Sequence, residues 1–243
     1  DDMERASYLA SAIERQRTSG GVTEEEMIEL CLFALFVGVD TTSSVTAWNL
    51  MHLAMNTEEQ EKLHSELSAA VTEKGSEGGT KVNADVLGRS TSPYLHMCVR
   101  ESHRVTPAFA AAIWKSNSRS DVEVYGETIP KGSMVQLGHI SYDPDFVEDP
   151  MTFSPERWTD EAIAARAGTK SEVLDHPVLR DPFSQGARRC PGSRVANNEI
   201  LAMIAQLVLD WKISAPTVKT LADVKYDCSP IKPIIPALKF EAR

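Results

Sequence analysis

The run Phe183-Ser184-Gln185-Gly186-Ala187-Arg188-Arg189-Cys190-Pro191-Gly192 constrains this chain more than any other stretch of it. It sets one cysteine between two glycines, with an aromatic at its head and two arginines directly before the sulfur. Glycine lets a backbone come close to whatever the sulfur binds. Pro191 suits the first turn of a helix, and a helix beginning there would aim its positive end at Cys190. Arg188 and Arg189 add charge that favours an anionic sulfur. The pattern predicts a tight loop that presents a thiolate and feeds straight into a helix. Read alone, it also suits a structural cysteine buried near a helix start.

Composition bounds what surrounds that loop. A chain of 243 residues makes one large domain or two small ones, and 42% hydrophobic residues suffice for a sizeable core. A formal charge of −10 excludes general nucleic-acid binding, which needs clustered lysine and arginine on phosphates. The longest uninterrupted apolar run, Leu30 to Val39, stops at Asp40. It is shorter than the roughly eighteen apolar residues of a bilayer span, so it reads as a buried helix segment. Nothing at the start reads as a signal or transit peptide. The opening Asp-Asp-Met-Glu-Arg looks like a helix interior, as though cut from something longer. Cys31, Cys98, Cys190 and Cys228 show neither close pairs nor zinc spacing, which fits free thiols in a reducing compartment. His52, His64, His96, His103, His139 and His176 likewise lack metal-type pairing and read as surface or packed residues.

Along the chain, residues 3 to 17 are helical in composition and end at Gly20-Gly21. Thr23 with Glu26 forms a capping box, opening a helix predicted over 23–56 that is apolar nearly all round from Ile28 to Val39. A second box, Thr57 with Gln60, starts a helix to about Glu73, and the glycine-rich Lys74 to Thr80 reads as a loop. Pro93 opens a helix over 93–105 that Pro107 ends. Val122, Val124 and Met134 to Leu137 have the alternation of short strands around the turn Ile129-Pro130-Lys131-Gly132. An irregular, packed stretch to Trp158, a helix from Pro191 to about Leu209 and a strand-like tail from Asp223 complete the reading. No internal repeat stands out. The predicted class is mainly α with small β-sheets, an α+β piece forming part of one domain over 1–243.

Three further motifs stand in order with the cysteine loop. Gly38-Val39-Asp40-Thr41-Thr42 puts a carboxyl beside a hydroxyl on an apolar helix. Thr41 can bond back to the carbonyl of Val37 or Gly38 and bend the helix, which alone would explain it. Glu101 and Arg104 share a helix face, a spacing that in most chains means a solvated ion pair. Phe153-Ser154-Pro155-Glu156-Arg157-Trp158 carries another arginine among aromatics, and Ala196 with Glu199 follows the loop.

Together these resemble the cytochrome P-450 family, the haem-thiolate monooxygenases. The loop at 183–192 meets that family's F-x-x-G-x-R-x-C-x-G at every fixed position. Gly38 to Thr42 resembles its oxygen-activation motif, with Val37 departing from the small first residue. Glu101 to Arg104 resembles its E-x-x-R, Phe153 to Trp158 its F-x-P-E-R-W, and Ala196 to Glu199 its A-x-x-E. The resemblance runs from about Thr23 to the C-terminus and covers the C-terminal half of that fold. Gly-Val-Asp-Thr-Thr-Ser is especially like the mitochondrial branch, whereas the cysteine loop fits microsomal members equally well.

The resemblance implies a haem-dependent monooxygenase inserting one atom of O2 into a small or medium apolar substrate, sterol- or lipid-like. Cys190 would be the axial iron ligand of haem b, iron protoporphyrin IX. Arg188 would bind a propionate, with Lys115 the nearest second candidate. Phe183 would shield the sulfur, backbone N–H groups near Gly192 would tune it, and Gly186 and Gly192 would count among the cofactor-binding residues. Asp40 and Thr41 would manage protons, and Phe33, Val37, Ala110 and Ile113 would touch substrate. Glu101, Arg104 and Arg157 would form a buried structural triad holding the loop. Electrons would come ultimately from NADPH through a ferredoxin or flavoprotein reductase, drawn to a basic patch of Arg100, Arg188, Arg189 and Arg194. Membrane contact, at the mitochondrial inner membrane or endoplasmic reticulum, would come through the missing N-terminal half. The piece by itself is expected to bind haem poorly and to be inactive. Two other classes fit parts of the sequence: a redox-active cysteine protein without haem, and a non-catalytic haem-binding fragment. The first leaves three motifs unexplained.

Overall fold

The computed structural model describes residues 8–20, 23–74, 82–107, 115–117, 119–136, 140–226, 233–234 and 236–243. It divides into two units, Asp1–Thr41 and Thr42–Arg243. The first holds helix α1, Tyr8–Ser19. It also holds the first half of α2, Glu24–Met55. Thr23 caps α2 reciprocally: its Oγ1 accepts the Glu26 N–H at 3.2 Å, and its own N–H donates to Glu26 at 2.8 Å. The expectation of a buried run fails here. Ile28, Leu32, Phe33, Leu35, Phe36 and Val39 are 54–74% exposed, and Met27 is the buried apolar residue of this stretch. Hydropathy says that such a surface gains from cover but does not name the cover, and no described side chain supplies it.

The second half of α2 behaves differently. Trp48, Met51 and Leu53 are buried, while Thr46, Asn49 and Asn56 satisfy themselves on carbonyls four residues back. Helix α2 is long and apolar enough to cross a bilayer by length and composition, which the count of uninterrupted apolar residues missed. Its inner half is nonetheless accounted for by the protein core. Helix α3 follows, Thr57–Lys74, burying Leu63, Leu67 and Ala70 on one face. The second capping box does not form. Gln60 is fully buried and spends its amide elsewhere, donating to Leu53 O and Ile213 O at 2.9 Å and accepting from Ile213 N at 2.8 Å.

Helix α4, Pro93–Val105, has Pro93 in its first turn, and Glu66 of α3 receives the free N–H groups of Tyr94 and Leu95 at 2.8 and 3.0 Å. Strands β1, Lys115–Ser116, and β4, Met134–Val135, pair around a hairpin of β2, Val122–Val124, and β3, Glu127–Ile129. Tyr125 and Gly126 both take positive φ, 50° and 85°, which is the turn a two-residue hairpin requires. Short 3-10 turns at Pro155–Trp158 and Lys170–Asp175 flank α5, Asp160–Arg166, and then comes α6, Pro177–Arg180. The sequence reading had no element at Asp160–Arg166.

Helix α7, Ser193–Asp210, runs directly into β5, Trp211–Ser214. Strand β5 pairs with β8, Lys239–Ala242, while β6, Lys225–Tyr226, pairs with β7, Pro233–Ile234. Strand β5 was not foreseen, since its partner lies far along the chain. The main core joins α3, α4 and α7 through Leu63, Leu67, Leu95, Val99, Ile200 and Ile204. A mainly α fold with small two-stranded antiparallel sheets results, in agreement with the predicted class. Residues 75–81, 108–114, His139 and Cys228, which include the glycine-rich loop, Ala110 and Ile113, lie outside the described residues.

Candidate functional site

The cysteine loop is closed by one backbone bond, Cys190 N–H to Phe183 O at 2.9 Å. Between these ends Gly186–Arg188 makes a 3-10 turn. Ser184 and Gly186 take φ of 69° and 78°, so a glycine is needed at 186, and Ser184 bears the cost of a left-handed conformation. Gly192 meets no such demand: a Cβ there would lie 3.9 Å from Cys190 Sγ, an ordinary contact. Pro191 sits outside the helix. Gly192 is the N-cap and α7 starts at Ser193, because the chain turns once more after the sulfur (Ser193 N to Cys190 O 3.4 Å) before helical bonding begins. Cys190 is a free, half-buried thiol.

Around the sulfur, Arg188 is exposed, and Lys115 Nζ reaches Ser184 Oγ at 3.4 Å, which brings that second propionate candidate to the loop. The Phe183 ring lies edge-on to His103 at 6.2 Å. Burial depresses the His103 imidazole to about pH 4. Its Nε2 has no hydrogen-bond partner among the described residues. A groove of about 550 Å³ opens beside the loop, lined in part by Arg100, His103, Arg180, Phe183, Arg189 and Arg194. Its lining favours anionic groups. The basic patch read from the sequence is thinner than expected, however. Arg189 is engaged by Asp181 at 3.1 Å, and Arg100 by Asp175 at 3.2 Å. Arg100 also lies 3.7 Å over the Trp158 ring, and burial holds it down at about pH 10 despite Asp175.

Glu101 is fully buried on α4 and heavily bonded. Arg104 grips it at two points, Nε to Oε2 at 2.9 Å and Nη2 to Oε1 at 2.8 Å. Ser154 N–H adds 3.0 Å and Trp158 Nε1 2.9 Å. Arg157 Nε stands 3.3 Å from Oε1 but its N–H is not aimed there, and its Nη2 donates instead to Asp149 O at 2.9 Å. The structure therefore brings Glu101, Arg104 and Arg157 together, with Arg157 the weakest member. Trp158 is the donor sequence reasoning missed, since nothing in the motif marks an indole as a partner. Arg104 also donates to the carbonyls of Ser141, Pro150 and Thr152, tying α4 to the irregular segment. Breaking such a buried pair leaves a bare charge inside, costing about 3–5 kcal/mol.

In the first unit, Thr41 Oγ1 donates to Val37 O at 2.7 Å, one of the two acceptors expected of it. Asp40 is exposed, and a Cβ on Gly38 would meet nothing within 4 Å. Phe33, Val37, Asp40 and Thr41 recur at helical spacing and share one face of α2.

The donor set suits a haem held by one thiolate. Cys190 is unpaired and reachable on a loop whose glycine-bearing rim is open, and no cluster of metal-ligating side chains exists among the described residues to compete for iron. A family model described as Cytochrome P450 matches residues 2–227. Among curated relatives, cytochrome P450 49a1 of Drosophila melanogaster is 33% identical over 76% of this chain and 30% of its own length. Mitochondrial sterol 26-hydroxylase of Rattus norvegicus is 29% identical over 88% of this chain and 37% of its own. Geraniol 8-hydroxylase of Swertia mussotii is 30% identical over 76% and 35%. The chain thus spans about a third of the length of the curated relatives it matches.

Proposed function

The chain belongs to the cytochrome P450 family, and from that premise we propose that it is the haem-ligand part of a monooxygenase acting on a small or medium apolar molecule. The carrying observation is the closed loop that presents one free thiol, Cys190, directly ahead of α7. Haem, when bound, supplies the iron centre at which O2 is reduced. Everything else falls to the chain. Cys190 offers the sulfur ligand. Arg188 on the loop and Lys115, which reaches Ser184 of the loop, offer cations to the propionates. The Glu101 network fixes α4 against residues 141–158. The Thr41 hydroxyl holds a hydrogen bond on the α2 face, and the exposed Asp40 carboxyl passes protons to it from solvent. Phe33 and Val37 supply apolar contact for substrate on the same face, and Ala110 and Ile113, outside the described residues, remain substrate contacts implied by the family resemblance alone.

A sterol- or lipid-like substrate is supported by the names of the rat and Swertia relatives. The electron donor is a ferredoxin or flavoprotein reductase fed by NADPH, and exposed Arg194 is the loop-side charge left for steering it. Association with a membrane, the mitochondrial inner membrane or the endoplasmic reticulum, fits the apolar surface of α2, and the word mitochondrial in the rat relative's name favours the first.

The test is the spectrum of the reduced carbon monoxide complex of the full-length protein, for the wild type and Cys190→Ser, with turnover measured on the same protein. A thiolate-held haem gives a strongly red-shifted Soret band, which Cys190→Ser is expected to abolish. Retention of that band in Cys190→Ser would show that the ligand has been misassigned. Haem binding without turnover would instead identify a non-catalytic relative. A reactive Cys190 with no haem uptake would identify a thiol protein.

A further inference from the structure

Asp181 lies outside the motif, yet its carboxylate gathers donors from across the cysteine loop. Its Oδ1 accepts the backbone N–H of Phe183 at 2.9 Å. Its Oδ2 accepts Gln185 Nε2 at 3.0 Å and Arg189 Nε at 3.1 Å. These donors stand at the loop's entry, shoulder and exit. Arg189 extends the chain of bonds, its Nη1 donating to Ser193 Oγ at 2.9 Å on the first residue of α7. Phe183 completes it from the other side: the residue whose N–H rests on Asp181 is the one whose carbonyl receives the Cys190 N–H.

Packing holds this loop only in part, since no residue from Asp181 to Cys190 is fully buried and Phe183 alone rests a ring against the helix behind, on His103. The Glu101 network does not reach it either, for its bonds end on residues 141–158. Meanwhile the left-handed Ser184 works against the loop's shape. An exposed ion pair such as Asp181–Arg189 contributes little by itself, with Arg189 46% exposed. Three donors converging on one carboxylate are another matter, because ordering one side chain serves every bond.

We propose that Asp181 is the positioning residue that fixes the Cys190 loop before anything is bound to the sulfur, an inference that rests on the reading of Cys190 as haem ligand. Asp181→Ala removes every leg of the clamp. Asp181→Asn keeps an acceptor for Phe183 N–H but not the carboxylate shared by Gln185 and Arg189.

Hydrogen exchange resolved at single amides, on the haem-free chain, is the first measurement. Asp181→Ala is expected to speed exchange at Phe183 and also at Cys190, which Asp181 does not touch, by tenfold or more, with Leu201 and Ile204 unchanged. Asp181→Asn should fall between. Haemin titration is the second, with the dissociation constant rising about tenfold in Asp181→Ala and less in Asp181→Asn. Unchanged exchange at Cys190 overturns the proposal, as does equal acceleration at Leu201 and Ile204, which would mean general loosening. A loosened loop with unaltered haemin affinity overturns the link to the ligand. The Cys190→Ser spectrum decides the ligand reading independently, because loop exchange needs no haem.

Discussion

His52 shows how a single residue in this fold carries a measurable pH dependence. It is buried, stacks on Phe153 at 4.9 Å, and shares a 3.1 Å hydrogen bond with Thr106 Oγ1. Burial, with Arg104 adding repulsion, holds its imidazole down at about pH 3. His103 is held at about pH 4 by burial, against the opposing pull of Asp181. His64 and His96 are lowered for the same reason. Depressed histidines stay neutral in the fold while the unfolded chain takes up protons below about pH 6.5. Their stabilisation is therefore complete above that value and is lost as pH falls, by about 2 kcal/mol at about pH 5 for the fully buried His52. The urea midpoint is expected to drop between neutral pH and pH 5, and His52→Gln, which can keep the Thr106 bond, should shrink that drop. A midpoint insensitive to pH over this range would mean that these rings are not held neutral. Cys190 and Glu101 were legible because their types and spacings are rare together. Trp158 and Asp181 were not, since their partners are set by how a loop folds back rather than by any spacing.

At the scale of elements, helix α2 separates what hydropathy specifies from what it does not. From Ile28 to Val39 it is as apolar as a core helix yet exposed, while its continuation through Trp48, Met51 and Leu53 is buried. Sequence period alone could not tell these halves apart, because burial depends on a partner surface that the helix does not encode. Gln60 teaches a related lesson: its position suggested a cap, but a backbone strand at Ile213 claimed its amide, 153 residues away. The exposed half should behave as surface. Leu32→Lys with Phe36→Lys is expected to lower binding of an apolar fluorescent dye several-fold and to leave the unfolding free energy within about 0.5 kcal/mol of the wild type. Ile204→Ala, in the core between α3, α4 and α7, should by contrast cost about 2–5 kcal/mol. Equal destabilisation by the two sets would show that the α2 surface is covered in solution.

For the whole molecule, the division at Thr41 and Thr42 decides where stability resides. All the residues of the main core, and of the smaller clusters around Trp48 and Trp158, lie after the division. The first unit contributes Met27 alone to the buried apolar set among its described residues. Removing residues 1–41 also deletes the Thr23 capping box, but Thr42 and Ser43 are competent N-cap types for the helix that remains. The polypeptide 42–243 is therefore expected to unfold cooperatively with a urea midpoint close to that of the whole chain. All four tryptophans, Trp48, Trp114, Trp158 and Trp211, stay in it, so fluorescence and near-ultraviolet dichroism read both forms with the same probes. Its cysteine loop should keep the exchange pattern of the full chain, since Asp181, Phe183, Arg189 and Ser193 all remain. What it loses is Asp40, Thr41 and the apolar face before them, so any proton handling or substrate contact assigned to that face must vanish while the haemin affinity, weak as it is in the whole chain, stays unchanged. A truncated chain that melted without cooperativity, or lost haemin binding along with the α2 face, would mean that the first unit is part of the fold that holds the sulfur.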